Sequence, residues 1–317
     1  LLVHNCCLPK DSNLSKLDWS KGVIVQLKAD GSFANMYTGG QPIVETRNGN
    51  IYQYGLDKLR EALKLIPAGE TLHGELLVRD LRTGEILPRH KGNGILNAIA
   101  QDGEVDENYE VVADVWDVVP TSVMVPKGRC LTPYSDRLDR LREIVLFKMA
   151  DRAGVIQVIE TYVAYSRQEA KDIYVQVRAR GLEGTVVKNP EAIWLDGDNP
   201  DQIKEKVEVE VDLVIRGFNQ GDPDGKYANT LGSLICESED GLVRVGVSGM
   251  TDADRHDFWN NREFYEGKVI TVVINGFMHK DDKSETDSLF LPRIVEKRFD
   301  KTAGDTRERI IQIIDNA

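Results

Sequence analysis

One lysine lies at the end of a predicted strand, at a point where it could act as a nucleophile. The apolar run 23–25 predicts a buried strand over 23–28 that ends at Lys28, and Asp30 and Gly31 follow it. A lysine at the end of a rigid strand projects into a cleft, and the glycine lets the backbone turn sharply or approach a ligand closely. The alternative is a strand that ends in an ordinary Asp-Gly turn. This stretch alone leaves both interpretations open.

Other side chains with chemical potential lie on predicted strands. Glu75 lies in the middle of one strand and Glu183 begins another. Each carboxylate faces either solvent or a site, and for either alone solvent is the simpler interpretation. Lys204 and Lys206 are two residues apart and therefore point to one face, which alone would be a solvated strand edge. Trp116, taken alone, is most simply a core residue.

The elements that must position these side chains form an α+β pattern up to about residue 206. Residues 1–21 are polar and irregular, and residues 82–94 predict a loop rich in glycine and basic residues. Helical spacing predicts helices near 56–66, near 95–100, from 135 onward and over 166–181. Strands are predicted at 23–28, 33–38, 43–46, 71–79, 111–119, 155–160 and 185–188.

From Val207 onward the pattern changes to short alternating strands. Strands are predicted from 207 to 215 and at 231–237, 242–247, 269–274 and 289–295, with a helix at 252–260. Five strands and one helix in this length predict a small Greek-key barrel such as an OB-fold. The boundary is therefore placed after Lys206, which gives domains at 1–206 and 207–317.

Composition is that of an ordinary globular protein. The 317 residues carry a formal net charge of −12, which argues against a protein that coats nucleic acid by bulk charge but allows local basic surfaces. No apolar run is long enough to span a membrane and no signal peptide is visible. The four cysteines include no Cys-x-x-Cys pair, so neither a zinc site nor a disulfide framework is predicted, and a cytoplasmic setting is expected.

Taken in order, the short motifs resemble those of the covalent nucleotidyltransferases. The chain is similar to the ATP-dependent DNA ligases, most of all to the T-even bacteriophage type, from about residue 23 to residue 301. The resemblance implies an adenylation domain of antiparallel sheets with flanking helices, followed by a C-terminal OB-fold β-barrel and a C-terminal helix. The matching motifs are Lys28–Gly31, Thr46–Gly49, His73–Leu76, Val115–Asp117, Glu183–Lys188, Lys204–Lys206 and Arg298–Lys301.

This resemblance implies that Lys28 attacks the α-phosphate of ATP to give a lysyl-adenylate. The adenylate would then pass to the 5′-phosphate of a nick, and the 3′-hydroxyl would displace AMP. Gln26 and Leu27 would line the nucleotide site, with Gln26 at the adenine edge. Trp116 would stack on adenine, and Glu75 would serve the ribose or a metal.

The resemblance also implies the residues that handle charge. Glu183 would help to hold Mg²⁺, and Arg47 would bind the 5′-phosphate of the nick. Lys188, Lys204 and Lys206 would contact phosphates. Cations around the amine of Lys28 would disfavour its protonated form, and the hard Mg²⁺ ion suits carboxylate ligands.

Four residues near the C-terminus would act on the ATP triphosphate in the first step, namely Arg293, Arg298, Asp300 and Lys301. One departure stands out. The first motif usually continues as Lys-x-Asp-Gly-x-Arg, and this chain has Phe33 at the arginine position. That change transfers the task to another cation or weakens one of the steps.

Three functions compete. The first is an ATP-dependent DNA ligase that acts as a monomer on nicked double-stranded DNA, without a membrane, in the cytoplasm (of a host cell for a viral protein). The second is an RNA ligase or a capping-type nucleotidyltransferase, against which the spacing through the second domain argues. The third is a non-catalytic module that binds DNA ends, and it is suggested by Phe33 and by the acidic net charge. NAD-dependent ligation is disfavoured because no zinc-binding cysteine set is visible.

Overall fold

The chain folds into two compact units. The computed structural model describes residues 4–7, 11–38, 40–101, 106–148, 154–206, 208–280 and 284–315. The larger unit is Leu1–Glu205 and the smaller is Lys206–Ala317. The division lies one residue before the boundary that the change of sequence pattern indicated.

The larger unit combines many short strands with a few helices. Its helices are α1 (Asp11–Leu14), α2 (Asp57–Leu63), α3 (Arg89–Ala100), α4 (Tyr134–Glu143) and α5 (Arg167–Ala179). Its strands are β1 (His4–Cys7), β2 (Val23–Leu27), β3 (Ser32–Thr38), β4 (Pro42–Thr46), β5 (Glu70–Asp80), β6 (Tyr109–Pro120), β7 (Arg129–Cys130), β8 (Ile156–Val158), β9 (Thr161–Ala164), β10 (Gly184–Lys188), β11 (Trp194–Leu195) and β12 (Gly197–Lys206).

Two five-stranded sheets carry the candidate residues. Sheet one has the order β4-β3-β5-β6-β8, and sheet two has the order β1-β12-β10-β2-β9. Strand β2 pairs antiparallel with β10 and β9, and β5 pairs antiparallel with β3 and β6. The pairs β1–β12 and β6–β8 are parallel. The α+β class with antiparallel sheets is therefore confirmed.

Strand β2 begins with three apolar residues, because both of its faces are buried there. Val23 and Val25 belong to one core cluster, and Ile24, which points the other way, belongs to a second. All three side chains are at most 7% exposed. A strand packed on both faces is rigid, so the residue that follows it, Lys28, starts from a fixed position.

Three helices cover one face of sheet one. Leu59 of α2, Ile99 of α3 and Leu138 of α4 lie in the same core cluster as Met36 of β3. Each is at most 2% exposed. Sheet one therefore has an apolar face that packs against helices. Because successive side chains of a strand point to opposite faces, every second residue of β3 and β5 lies on the other face.

Some predicted boundaries were wrong. The N-terminal residues are not wholly irregular, because β1 pairs in parallel with β12 and a short helix follows. The loop predicted at 82–94 ends early, since α3 begins at Arg89 and not at Ile95. Strand β9 was missed, because the strand predicted at 155–160 covers β8 and ends before β9 begins at Thr161.

The smaller unit contains a five-stranded sheet with the order β15-β14-β13-β16-β19. A two-stranded ribbon of β17 and β18 and three helices accompany it. Its elements are β13 (Val209–Gln220), β14 (Leu231–Glu237), β15 (Arg244–Val247), α6 (Asp252–Asn260), α7 (Arg262–Tyr265), β16 (Val269–Ile274), β17 (Phe277–Met278), β18 (Ser288–Leu289), β19 (Arg293–Arg298) and α8 (Arg307–Asp315).

This sheet is not a closed barrel among the described residues. Its edge strands β15 and β19 are joined only by an isolated parallel bridge between Ser248 and Arg293. The strand expected at 289–295 is divided between β18 and β19, and residue 207 lies outside the described residues. The predicted OB-fold barrel is thus not confirmed, although its strands pack on one apolar core.

Within the described residues, no helix combines the length and the apolar character that crossing a bilayer requires.

Candidate active site

Lys28 is held by both neighbouring strands of sheet two. Its backbone N–H donates to the carbonyl of Gly184, at 2.9 Å, and the N–H of Leu27 donates to the carbonyl of Glu160, at 3.0 Å. The ammonium group of Lys28 lies 2.5 Å from a carboxylate oxygen of Glu183, with both side chains mostly buried. The contact at this amine is therefore a carboxylate, where the sequence predicted a surrounding of cations.

The turn after Lys28 joins sheet two to sheet one. The N–H of Gly31 donates to the Glu75 carboxylate at 3.2 Å, and Asp30 forms an ion pair with Arg89 at 2.7 Å. A Cβ atom on Gly31 would lie 2.1 Å from the carbonyl oxygen of Leu76. Only glycine allows this close approach, so the glycine of the first motif is required by packing against β5.

Two carboxylates with unusual acidities flank the lysine. Burial raises the pKa of Glu75 to about 7, while Lys28 and the Gly31 N–H act in the opposite direction. Burial also raises the pKa of Glu183, again against the effect of Lys28. Raised pKa values of this kind mark buried carboxyl groups that a bound cation would ionise.

These two oxygen donors suit Mg²⁺. The ion prefers hard ligands and commonly takes one or two carboxylates together with water and substrate phosphates. No group of three or more His, Cys, Asp or Glu side chains is arranged for a metal within the described residues. Glu75 and Glu183 thus fit a metal that substrate phosphates help to hold, and do not fit an all-protein cage.

A buried polar network lies beside this pair. The Tyr134 hydroxyl is 2.8 Å from the Gln26 side-chain oxygen, 2.6 Å from the Trp116 carbonyl and 3.1 Å from the Lys188 ammonium. The Gln26 amide nitrogen donates to Thr161 at 3.0 Å. The structure thus brings together three predicted nucleotide-site residues through Tyr134, which the sequence analysis did not single out.

Lys188 is the predicted phosphate-binding residue with the most perturbed acidity. It is 2% exposed, and its ammonium group lies 4.5 Å from the ring centre of Tyr134 and 5.8 Å from that of Trp116. Burial lowers its pKa to about 8, with Cys6 and Asp117 acting in the opposite direction. A lysine this deeply buried can meet a phosphate only if the ligand reaches the bottom of the site.

Lys204, Lys206 and Arg47 were also predicted to contact phosphates. Lys204 and Lys206 are half-buried near the end of β12, which is separated from β2 by β10. Arg47 is exposed beyond β4, and its guanidinium carbon lies 5.4 Å from the ring centre of Phe33. Their predicted contacts with phosphate stay predictions.

In the smaller unit, two of the four predicted triphosphate residues, Arg298 and Lys301, contact one carboxylate. Asp212 contacts the Lys301 ammonium and lies 3.7 Å from the Arg298 guanidinium. Arg298 also pairs with Asp300 at 2.7 Å. Arg293 is separate and forms an ion pair with Glu208 at 2.7 Å. Nothing local in the sequence marked Asp212 as the residue that collects these cations.

His73 gives the larger unit a predictable dependence on pH. It is fully buried, its Nδ1 lies 2.8 Å from the Asn35 side-chain oxygen, and burial lowers its pKa to about 4. Between about pH 6.5 and about pH 4 the unfolded chain binds a proton at this site that the folded chain does not. As the pH is lowered from about 6.5 to about 4, the free energy of unfolding should therefore fall by about 3 kcal/mol through His73 alone.

Chemical denaturation at a series of pH values measures this effect. The His73→Phe variant is the control, because it keeps a ring beside Phe33 and Trp194 but cannot titrate. Its free energy of unfolding should depend less steeply on pH in this window than that of the wild type. Equal slopes in the two proteins would refute the assignment to His73.

The fold and the lysine site define a class. The structure aligns with a solved protein named Pmar-Lig_PreS3 at a TM-score of 0.70 and 18% identity, over 93% of this chain and 67% of that one. It also aligns with the ATP-dependent DNA ligase of bacteriophage T7, solved in complex with ATP, at a TM-score of 0.54 and 18% identity, over 93% and 98% of the two chains. The fold is therefore that of the DNA ligases.

The sequence assigns the family directly. A family model described as the ATP dependent DNA ligase domain matches residues 11–206. The chain belongs to this family. It is 28% identical over 331 aligned residues to the DNA ligase of Enterobacteria phage T6. The alignment covers 90% of this chain and 66% of that relative. The chain thus spans somewhat less than two thirds of the length of that phage protein.

Proposed function

We propose that this protein is an ATP-dependent DNA ligase that joins the 5′-phosphate and 3′-hydroxyl ends of a nick. The observation that carries the proposal is the position of Lys28, at the rigid end of β2 and beside two buried carboxylates, in a chain of this family. An amine fixed in this way suits attack on a phosphorus atom, which depends chiefly on positioning and charge neutralisation.

In the first step the Lys28 amine attacks the α-phosphorus of ATP. A P–N bond forms, the bond to the bridging oxygen breaks, and pyrophosphate leaves. The ammonium group loses its proton to solvent before attack, and the Glu183 carboxylate, 2.5 Å away, orients the amine. An oxygen of the nick 5′-phosphate then attacks the same phosphorus and releases the lysine. Finally the 3′-hydroxyl attacks the 5′-phosphorus and AMP leaves.

Glu75 and Glu183 would hold Mg²⁺, which supplies positive charge to phosphate oxygens when bound. Cations of the protein share this task, because the charge of a transferring phosphoryl group is spread over several oxygens. In the proposal these cations are Lys188, Lys204 and Lys206, with Arg47 assigned to the nick phosphate. Gln26, Leu27 and Trp116 form the nucleoside side of the site. The four C-terminal residues act on the triphosphate, namely Arg293, Arg298, Asp300 and Lys301.

We also propose that the smaller unit is an OB-type domain that follows an adenylation domain. Support comes from the order β15-β14-β13-β16-β19 and from the parallel bridge between Ser248 and Arg293, which joins the two edges. The N–H of Ile294 donates to the Ser248 carbonyl at 2.9 Å, so the edges meet through a genuine backbone hydrogen bond. A barrel of this kind offers a groove that can follow a sugar-phosphate backbone.

A labelling and sealing assay tests the proposal. The purified chain is incubated with α-labelled ATP and Mg²⁺, and then with nicked duplexes whose strands are DNA, RNA or one of each. Label on the protein, followed by ATP-dependent sealing of nicked DNA, is expected. The enzyme should act as a monomer in the cytoplasm, and gel filtration of the active fraction tests the first of these points.

The same assay distinguishes the other functions. Sealing of RNA nicks in strong preference to DNA nicks would identify an RNA ligase. Label on the protein with transfer to a nucleotide end, but no sealing, would identify a capping-type enzyme. Binding of nicked DNA with no label on the protein would favour a non-catalytic module. Each of these three outcomes would overturn the proposed function.

A further inference from the structure

Arg47 is a cation whose guanidinium group lies against an aromatic ring. It is exposed, immediately after β4, in a turn where the Gly49 N–H donates to the Thr46 carbonyl at 3.0 Å. Its guanidinium carbon lies 5.4 Å from the centre of the Phe33 ring. Within the described part of the chain, its side chain forms no ion pair and no hydrogen bond.

Phe33 is itself firmly placed. It lies half-buried on β3, opposite Glu75 of β5 in the strand register. Its ring centre is 6.1 Å from that of His73, with the planes nearly parallel, and 6.0 Å from that of Trp116. His73 in turn stacks on the buried ring of Trp194 at 5.6 Å. Phe33 therefore rests on a buried aromatic base, and Arg47 lies on Phe33.

A ring and a carboxylate affect a guanidinium differently. A carboxylate partner would occupy the N–H donors and cancel the charge, whereas a ring fixes the plane of the group and leaves its donors free. A fixed planar cation with free donors can bind a phosphate through two parallel hydrogen bonds. The contact between Phe33 and Arg47 thus prepares a phosphate-binding group, and Phe33 in turn lies 6.0 Å from Trp116.

We propose that Phe33 is a positioning residue that holds Arg47 for a substrate phosphate. The inference rests on the proposed function and deepens it, because it assigns a role to the position where similar sequences carry an arginine. The guanidinium comes from the turn after β4, and the residue on β3 supplies the platform. Restoring an arginine at position 33 would place two guanidinium groups side by side and remove the ring contacts with His73 and Trp116.

The test uses Phe33→Leu, Phe33→Tyr, Phe33→Arg, Arg47→Ala and the double variant Phe33→Leu with Arg47→Ala. One arm measures labelling of the protein over a range of ATP concentrations. The other uses enzyme that already carries AMP and measures single-turnover transfer to a nicked duplex. The two arms distinguish a phosphate of ATP from the 5′-phosphate of the nick.

Coupling between the two residues is the expected result. Arg47→Ala should slow one arm by about tenfold, Phe33→Leu should slow the same arm by about two- to fivefold, and the double variant should be no slower than Arg47→Ala alone. Phe33→Tyr keeps the ring and should stay within about twofold of the wild type. Phe33→Arg should be slower than the wild type in the arm that Arg47→Ala slows.

Three results would overturn the inference. These are a Phe33→Leu enzyme as fast as the wild type in both arms, multiplicative losses in the double variant, and a Phe33→Arg enzyme faster than the wild type. Thermal melting of each variant shows whether it is folded, and Arg47→Ala, at an exposed turn, is the variant least able to disturb folding. Absence of label on the wild type would refute the proposed function and is a separate result.

Discussion

The Lys28→Arg variant is expected to take up no measurable label from α-labelled ATP, a loss of at least about a thousandfold in the rate of self-adenylation. Arginine keeps the positive charge beside Glu183, so the ion pair and the fold should survive. A guanidinium is protonated at any working pH and has no available lone pair to form a bond to phosphorus. The loss would therefore report the chemistry of the side chain and not its charge.

A matched substitution separates this effect from the removal of any lysine. Lys21→Arg changes an exposed lysine that lies 3.7 Å from Asp18, seven positions before Lys28 and just before β2. It should be labelled at the rate of the wild type. A nick that already carries AMP on its 5′-phosphate should still be sealed by Lys28→Arg, because that step needs no lysine nucleophile. Stoichiometric label on Lys28→Arg would remove Lys28 from the proposed mechanism.

Local pattern was enough to predict the strand that positions Lys28. The apolar run before Lys28 has both faces buried, and its β-branched residues favour a strand, so sequence and packing point to the same structure. The contrary case is β1, His4–Cys7, whose residues show no apolar alternation. It is a strand because β12 offers it a partner, and pairing with a distant strand leaves no trace in a short window.

The side-chain contacts of the predicted site residues could not be predicted from the sequence. Glu183 and Glu75 were both proposed, but the direct ion pair of Glu183 with Lys28 spans 155 positions of sequence. Arg89 was placed in a loop because two glycines follow it closely, yet it begins α3 and binds Asp30. Which charges meet depends on how the two sheets pack, and this is a property of the whole fold.

The buried ion pair of Asp117 and Arg137 underlies the second large prediction. Asp117 is 1% exposed and Arg137 is 3% exposed, and two guanidinium nitrogens lie 2.8 and 2.9 Å from the two carboxylate oxygens. The Arg137→Met variant should lose about 3–5 kcal/mol in the free energy of unfolding, because it leaves the Asp117 charge buried without its partner. Urea denaturation followed by circular dichroism measures the change.

The same helix provides the control for this prediction. Arg140 lies one turn further along α4 and pairs with Glu70 and Glu143 at a site where its side chain is 40% exposed. Arg140→Met should change the free energy of unfolding by no more than about 1 kcal/mol. Equal losses in the two variants would show that helix propensity or side-chain size, and not the unpaired charge of Asp117, determines the effect.

A second substitution tests the effect of the unpaired Asp117 charge directly. Asp117→Asn in the Arg137→Met background removes the unpaired carboxylate and keeps the oxygen that accepts the Val118 N–H at 2.8 Å. It should recover at least about 1 kcal/mol. A double variant no more stable than Arg137→Met would contradict the electrostatic explanation.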